Sequence, residues 1–412
     1  AEEAGLMVGD KIVKIEGESA YKIKRENVSK KLRGPKGSAV TVTIRRQGAD
    51  DFDVTIIRDE IPLYSVLAAA LIYDDSTGYI FVNRFSETTA KEMRDAMQRL
   101  SDEGMKQLVL DLRGNSGGLM DQAVEIADMF IDGKQMIVYT KGRIRGANDE
   151  FYSGRFNGFG KLPLVILINR GSASASEIVA GAVQDLDRGL VIGETSFGKG
   201  LVQRQYPLRD GSAIRMTVAR YYTPSGRLIQ RPYDGTLVDY FEGFVEENRD
   251  SLLAAEDSAK VRPQYQTQKG RVVYGGGGIS PDYYVKFERD LSKDTYKLLR
   301  HPSRMLFDYT SRTSEKYKRY RNRKERFFEK VEISDDDFES FLEAIQDKEI
   351  DVNIEKLKKD SDYLKLLMKA ELAREFWGYD EYYKVIRRYD NQVQAALQYL
   401  GEARKMVYVA RE

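Results

Sequence analysis

The chain has 412 residues, 42% hydrophobic and 32% charged, which is ordinary for a globular protein of two or three domains. Its 66 basic and 65 acidic side chains leave a net charge of +1, so charge gives no reason to expect nucleic acid as a partner. The absence of cysteine excludes disulfide scaffolds and thiolate sites. The single histidine, His301, cannot build the usual multi-histidine zinc site, so metal-dependent hydrolysis is not expected.

Residues 1–60 predict a small β-rich domain. Three segments have the β-branched content and alternation of strands, at residues 12–15, 40–44 and 53–57, and Arg25–Leu32 predicts a helix. This segment resembles a PDZ domain at Ala4-Gly5-Leu6, Gly9-Asp10, Ile12, Ile15 and Gly17. In that family the strand and loop that hold a peptide's terminal carboxylate would lie before Ala1. Either the first part of the domain is missing from this sequence or the module is degenerate, and we favour the first alternative.

Residues 61–288 predict an α/β (α+β) domain in which strands and helices alternate. Strands are predicted at residues 79–82, 107–112, 164–168, 190–193 and 213–222, and a helix at 88–100. The run Leu164–Ile168 is uniformly apolar, which predicts a central strand that is covered on both faces. Residues 233–270 are polar and irregular, and we interpret them as a surface insertion.

Residues 289–412 are rich in charged, aromatic and helix-forming side chains, and they predict a separate helical region. Ser334 and the acids after it predict a helix start, and Gly378 a helix end. The basic and aromatic run 316–324 could form a nucleic-acid surface, but the acids around it favour a solvated helix face. His301, before Pro302, is interpreted as structural.

The most informative segment is the serine run 171–178, which follows the apolar strand 164–168. Ser174 stands three residues before Glu177, the spacing of a capping box. Its hydroxyl would then lie at a helix N-terminus, where free amides favour developing negative charge. The simpler interpretation is that these serines only cap the helix and pack closely.

A lysine further along the chain gives the serine a catalytic interpretation. Lys199 lies between Gly198 and Gly200, on a turn where the backbone can approach another group closely. Burial among Phe197, Leu201 and Val202 would disfavour its charged form and let it accept the serine proton. The alternative is a turn lysine in solvent. A phosphate-binding loop is unsupported, because the Gly-x-x-x-x-Gly-Lys-Ser/Thr pattern is absent.

Two other features fit the same site. The run 111–118 places glycines just after a strand, where their amides could complete an oxyanion hole with the amide of Ala175, although an ordinary βα turn explains the pattern too. Asp185 lies at the edge of the apolar stripe of the serine helix. We expect it to pair with an arginine in a supporting role at least as readily as to act in catalysis.

Together these motifs resemble the carboxy-terminal processing proteases, S41 serine peptidases with a ClpP/crotonase-like layered core. The resemblance runs from the PDZ segment to about Val285, and its matching motifs stand in the family's order. They are residues 78–80, 110–119, 172–185, 193–194, 197–200, 202–203, 220–226 and 278–282.

The resemblance implies a role for each matching residue. Ser174, the middle serine of Ser-Ala-Ser-Ala-Ser, would be the nucleophile, Lys199 the general base, and Gln203 the residue that orients the lysine. The oxyanion donors would be the amides of Ala175 and of Gly117 or Gly118, with Asp185 in a role that varies within the family. Ser116 stands where the family usually has proline.

The resulting expectation is a serine endopeptidase that cleaves proteins near their C-termini without a metal or other cofactor. The PDZ segment would control access to the site. The domains would be a partial PDZ at 1–60, the protease core at 61–288 and a helical region at 289–412. The resemblance further suggests a periplasmic or otherwise extracytoplasmic location, a homodimer formed through the helices and peripheral association with a membrane. Two alternatives remain: a catalytically idle PDZ scaffold, and a crotonase-like acyl-thioester enzyme that binds coenzyme A.

Overall fold

The structure is a computed structural model, and it describes all residues except 1, 8, 22, 47, 73–75, 156–157, 233–261 and 409–412. Two compact units are present. One contains residues 1–63 and 289–386, and the other contains residues 64–288 and 387–412. The greater part of the predicted surface insertion, residues 233–261, therefore lies outside the described residues.

The N-terminal segment forms a four-stranded antiparallel sheet with one helix, and it contains the three predicted strands and the predicted helix together with a short fourth strand, Glu18–Ser19. Its elements are β1 (Lys11–Ile15), β2 (Glu18–Ser19), α1 (Arg25–Leu32), β3 (Ala39–Arg45) and β4 (Phe52–Ile57). The strand order is β2-β1-β3-β4. Alternate side chains of β3 meet Ile15 and Val54 in a small core, because every second residue of a strand points to the same face.

The second unit is built on a six-stranded sheet with the order β16-β11-β10-β7-β6-β5. Neighbouring strands are parallel except for the pair β5 and β6. Its elements are β5 (Val66–Ile72), β6 (Thr77–Val82), α2 (Thr89–Asp102), β7 (Gln107–Asp111), α3 (Met120–Asp128), β8 (Met136–Lys141), β9 (Glu150–Tyr152), β10 (Leu164–Ile168), α4 (Ala175–Asp185), β11 (Leu190–Gly193), β12 (Leu201–Pro207), β13 (Ala213–Tyr222), β14 (Gln264–Gln266), β15 (Val272–Tyr274) and β16 (Tyr283–Tyr284).

The strand β10 is central and fully buried, which confirms the prediction from its apolar run. Leu164, Ile166 and Ile168 belong to the core that α2, α3 and α4 form on one face of the sheet. Val165 and Leu167 point to the other face and are equally buried. A second, four-stranded sheet has the order β12-β13-β8-β9, and β14 pairs with β15 as a hairpin.

A string of helices forms most of the rest of the first unit. These helices are α5 (Lys293–Arg300), α6 (Met305–Thr313), α7 (Lys324–Lys330), α8 (Asp335–Asp347), α9 (Ile354–Lys359), α10 (Ser361–Trp377) and α11 (Tyr379–Arg387). Ser334 caps α8, and Gly378 ends α10 with φ +98°, both as predicted. Aromatic and aliphatic side chains around Phe327 and Phe341 form their common core. Among the described residues, no helix combines the length and the apolar character needed to cross a membrane.

The expected boundary of the helical region at 289–412 needs a correction at its C-terminal end. The last helix, α12 (Asn391–Tyr408), packs on β10, β11 and β7 of the six-stranded sheet. Its buried stripe consists of Val393, Ala396, Leu400 and Ala403. This helix therefore covers the face of β10 that Val165 and Leu167 line, and the sheet needs it to bury both faces.

Candidate active site

Four of the predicted site residues lie where parallel strands end at the same edge of the six-stranded sheet: Gly117, Gly118, Ser174 and Lys199. Residues 113–118 follow β7, residues 169–174 follow β10, and residues 194–199 follow β11. In open α/β sheets this edge is the usual place for a ligand, because loops from neighbouring strands meet there. Ser174, Lys199 and the two glycines are thus carried by three adjacent strands.

Ser174 has an unusual backbone conformation at the start of α4, with φ +55° and ψ −112°. A side chain is disfavoured in this region, and such strain persists only where the surrounding structure enforces it. Strained turns between a strand and a helix are known to present nucleophilic serines. Ser174 is half-buried, whereas Ser172 and Ser176 are buried and donate hydrogen bonds to the carbonyls of Leu112 and Asn115.

The glycine turn lies directly against the serine. A Cβ on Gly117 would stand 2.8 Å from the Cβ of Ser174 and 2.9 Å from the amide nitrogen of Ala175. The Gly117 amide is already used, because it donates to the Asn115 side chain at 2.9 Å. The Gly118 amide, by contrast, finds no acceptor among the residues that the structure describes. Of the two glycines, Gly118 therefore has the N–H that is available for a ligand.

Glu177 joins the serine segment to the lysine segment. One oxygen of its buried carboxylate accepts the amides of Ser174, at 2.8 Å, and of Lys199, at 2.9 Å. The other oxygen accepts the amide of Gly198, at 2.7 Å, and the hydroxyl of Ser196. Burial raises the pKa of Glu177, although these four hydrogen bonds act to lower it. The Glu177 side chain therefore links the main chain of Ser174 to the main chain of Lys199.

Tyr221 makes a second connection between the same two segments. Its hydroxyl donates to the carbonyl of Lys199 at 2.7 Å and lies 3.2 Å from the carbonyl of Ser174. The ring is buried, and burial raises the pKa of this phenol well above its usual value, so the hydroxyl remains a donor. Tyr221 and Glu177 hold the turn that carries Lys199 from two sides.

The side chains of the predicted catalytic residues are less closely associated than their main chains. Lys199 is half-buried, and the described residues form no hydrogen bond between its amine and the Ser174 hydroxyl. Gln203 is exposed on β12, next to a register shift in the β12–β13 pairing, and it does not contact Lys199 by a hydrogen bond. The structure therefore brings Ser174, Ala175, Gly118 and the backbone of Lys199 together, but not Gln203.

Asp185 lies at the far end of α4 from Ser174. Its carboxylate forms an ion pair with Arg227 at 2.6 Å, and both side chains are fully buried. It also accepts the hydroxyl of Ser225 at 2.7 Å and so fixes the turn that follows β13. These contacts fit the supporting role considered for Asp185 and give it no contact with the serine.

Sequence reasoning missed three residues that build this site. Glu177 was recognised only as a helix cap, Tyr221 stood in a matched motif without a role, and Asn115 was one residue of the glycine turn. Asn115 donates to the Val82 carbonyl at 2.9 Å and accepts the Gly117 amide, so it fixes the turn. The spacing of Glu177 could have suggested its first role, whereas its contact with Lys199 depends on the fold.

Comparison with known proteins assigns the family. The model of peptidase family S41 matches residues 76–240, a PDZ domain model matches residues 1–46, and a family of unknown function matches residues 302–378. The carboxy-terminal-processing protease of Bartonella bacilliformis is 41% identical over 316 residues, which cover 68% of this chain and 72% of that protein. The chain belongs to the carboxy-terminal processing proteases of the S41 family.

This family consists of serine peptidases. The predicted enzyme class and the family resemblance based on sequence motifs are therefore confirmed. The carboxy-terminal processing protease CtpA of Bacillus subtilis is 38% identical over 231 residues, which cover 56% of this chain and 49% of the relative. The chain thus spans only about half of that protein. Among solved structures, the photosystem II D1 C-terminal processing protease aligns with 29% identity and a TM-score of 0.38, over 69% of this chain and 65% of that one.

The close packing of the glycine turn predicts the effect of a substitution at Gly118. A Cβ at this position would collide with the carbonyl oxygen of Phe85, so Gly118→Ala must displace the turn and its free amide. We expect peptidase activity to fall by about 100-fold or more, as for loss of an oxyanion donor. Gly401→Ala is the matched control, because Gly401 lies in α12 with open space around its Cα. This control should keep its activity and gain up to about 1 kcal/mol in stability. Equal activity of the two variants would contradict the expectation that the Gly118 amide is an oxyanion donor.

Proposed function

We propose that the chain is a serine endopeptidase in which Ser174 is the nucleophile and Lys199 the general base. The observation that carries this proposal is the shared Glu177 oxygen, which holds the amides of Ser174 and Lys199 at 2.8 and 2.9 Å. Acyl transfer needs a nucleophile, a base and donors for the oxyanion. These would be Ser174 on its strained turn, the neighbouring Lys199, and the amides of Ala175 and Gly118. Membership of the S41 family supports the same assignment.

The proposed reaction uses only protein groups. The amine of Lys199 takes the hydroxyl proton of Ser174 while the serine oxygen bonds to a peptide carbonyl carbon. The amides of Ala175 and Gly118 hold the resulting oxyanion. The lysine then gives its proton to the leaving amine as the peptide bond breaks, which leaves an ester on Ser174. The same lysine then takes a proton from water as the water oxygen bonds to the ester carbonyl carbon, and it returns that proton to the serine oxygen as the ester bond breaks.

Gln203 enters this proposal only after a conformational change. It is exposed in the described arrangement, where it pairs with Thr217 of β13, and the register of β12 and β13 shifts between Val202 and Gln203. A shift of this strand segment would let its side chain reach the lysine amine and orient it. The arrangement described here would then be a resting form, because catalytic hydrogen bonds often form only with substrate bound.

The substrate class follows from the family and the PDZ segment. The relatives carry the name carboxy-terminal processing protease, and PDZ domains bind extended peptides by adding them to a sheet edge. We therefore propose protein substrates that are cleaved near their C-termini, with access controlled by the PDZ segment. An extracytoplasmic location, a homodimer formed through the helical region and peripheral membrane association belong to the same proposal, supported by family resemblance alone.

Labelling with a fluorophosphonate probe tests the nucleophile. The probe should form one covalent adduct, located on Ser174 by mass spectrometry of digested protein. Ser174→Ala should abolish labelling and reduce peptide hydrolysis by about 1,000-fold or more, without a change in melting temperature beyond a few degrees. Ser101→Ala, an exposed serine in α2, is the control and should label like the wild type. A folded, active Ser174→Ala variant would refute the assignment, and an unlabelled, inactive wild type would favour the idle scaffold.

A separate substitution tests whether Lys199 acts as a base. Lys199→Arg keeps a positive charge but cannot lose its proton in a protein, so it cannot accept one from the serine. We expect kcat to fall by about 100- to 10,000-fold, the range for loss of general base catalysis. Lys161→Arg, an exposed lysine in the same unit, should retain full activity. A Lys199→Arg variant with more than a tenth of wild-type kcat would show that the lysine acts only through its charge.

A further inference from the structure

A buried cluster of charged side chains connects the start of the glycine turn with the start of α12. We propose that Asp390 is a positioning residue for the oxyanion turn, acting through Arg113. This inference rests on the proposed peptidase function and extends it to a segment beyond residue 378, where the last of the three matched family models ends. Asp390 belongs to the same compact unit as the protease sheet.

The guanidinium of Arg113 is held between two carboxylates. On one side, Asp111 accepts its Nε at 2.9 Å and one terminal nitrogen at 2.5 Å. On the other side, Asp390 accepts both terminal nitrogens at 2.9 Å. The amide oxygen of Gln392 accepts one of them as well, at 2.8 Å. The planar fork of an arginine suits such paired contacts, so its orientation is fixed by partners from two distant parts of the chain.

A second arginine closes the cluster. Arg387 donates to Asp390 at 2.8 Å and to the hydroxyl of Tyr79 at 2.6 Å. The Tyr79 hydroxyl in turn donates to Asp111 at 2.6 Å. Two arginines and two aspartates therefore balance in charge. This balance matters because the carboxylates of Asp111 and Asp390 are almost fully buried, and an unpaired buried charge is costly.

The ionisation of Asp111 reflects this balance. Burial acts to raise its pKa, but Arg113 and Arg387 outweigh burial and lower the pKa to about 2. A carboxyl whose pKa is lowered on folding contributes stability above its unfolded pKa of about 4 and loses that contribution as the pH falls through the folded value. Burial also acts to raise the pKa of Asp390, but Arg113 and Arg387 outweigh burial and lower it. Both carboxylates of the cluster are therefore charged at neutral pH, and the cluster is intact there.

Arg113 is the first residue of the turn that ends at Gly118, so its position affects that turn. Its own amide donates to Asp111 at 3.0 Å, and the next amide, of Gly114, donates to the Asn169 side chain at 2.8 Å. From there the chain enters the segment that Asn115 fixes. A shift of Arg113 is thus transmitted over few residues to the Gly118 amide, and misplacement of a catalytic group by about 1 Å can cost about 100-fold in rate.

Asp390 also has an ordinary structural role, and the test must separate the two. Its carboxylate accepts the amides of Gln392 and Val393, at 3.1 and 3.2 Å, at the start of α12. Asparagine caps helices about as well as aspartate. The substitution Asp390→Asn therefore keeps an oxygen for the cap and removes the charge that holds Arg113.

The experiment measures kcat and KM of the full chain for an unstructured peptide, well below the melting temperature of each variant. Asp390→Asn should lower kcat by about 10- to 100-fold and leave KM within about twofold, because the turn acts on the oxyanion and not on peptide binding. Its rate of fluorophosphonate labelling should fall in parallel. Gln392→Met, which removes one hydrogen bond to Arg113 and no charge, should lower kcat by about threefold and provides the test if Asp390→Asn fails to fold.

Asp187→Asn is the matched control. Asp187 is buried and pairs with Arg271 at 2.5 Å in the same unit, but it lies beyond the C-terminal end of α4, away from the glycine turn. It should lose stability and keep wild-type kcat. If Asp390→Asn folds and keeps the wild-type kcat, the positioning role of Asp390 is refuted, while the proposed peptidase function stands. If Asp390→Asn does not fold, a wild-type kcat in Gln392→Met has the same meaning. An inactive wild type would overturn the proposed function together with the inference.

Discussion

The site depends on one buried carboxylate that four donors share. Glu177 is fully removed from solvent, and an unpaired charge in that position would destabilise the fold. Its hydrogen bonds to the amides of Ser174, Gly198 and Lys199 therefore fix the serine segment and the lysine segment next to each other. The Glu177 carboxylate accepts hydrogen bonds from both segments. If the serine turn and the lysine turn separated, its buried oxygens would lose these hydrogen bonds. The strained backbone of Ser174 lies within this fixed arrangement.

The layered sheet explains why these segments meet. Three adjacent parallel strands end at one edge, and the loops after them supply the glycine turn, the serine and the lysine. The face of the sheet opposite α2, α3 and α4 is covered by α12, whose start carries Asp390. The helix that completes the core is therefore the same helix that reaches Arg113. In this part of the molecule, core packing therefore also determines the geometry of the proposed active site.

Much of this architecture could be predicted where the physical signal is local. The apolar run 164–168 predicted a central strand, and the spacing of Ser174 and Glu177 predicted a helix start. The location of α12 could not be predicted, because an amphipathic stripe shows that a helix packs but not on what. The choice between Gly117 and Gly118 depended on which amide Asn115 uses, and the exposure of Gln203 depends on strand register. These are long-range contacts that a sequence pattern does not record.

The most direct test of this account is the rate at which a fluorophosphonate labels Ser174 in a Glu177→Gln variant, measured by intact-protein mass spectrometry. A glutamine of the same shape has only one acceptor oxygen, and its NH₂ group faces amides that also donate. The account predicts labelling that is slower by about 100-fold or more in a variant that keeps the wild-type near-ultraviolet circular dichroism. Labelling at the wild-type rate would contradict the claim that this carboxylate holds the serine and the lysine in place.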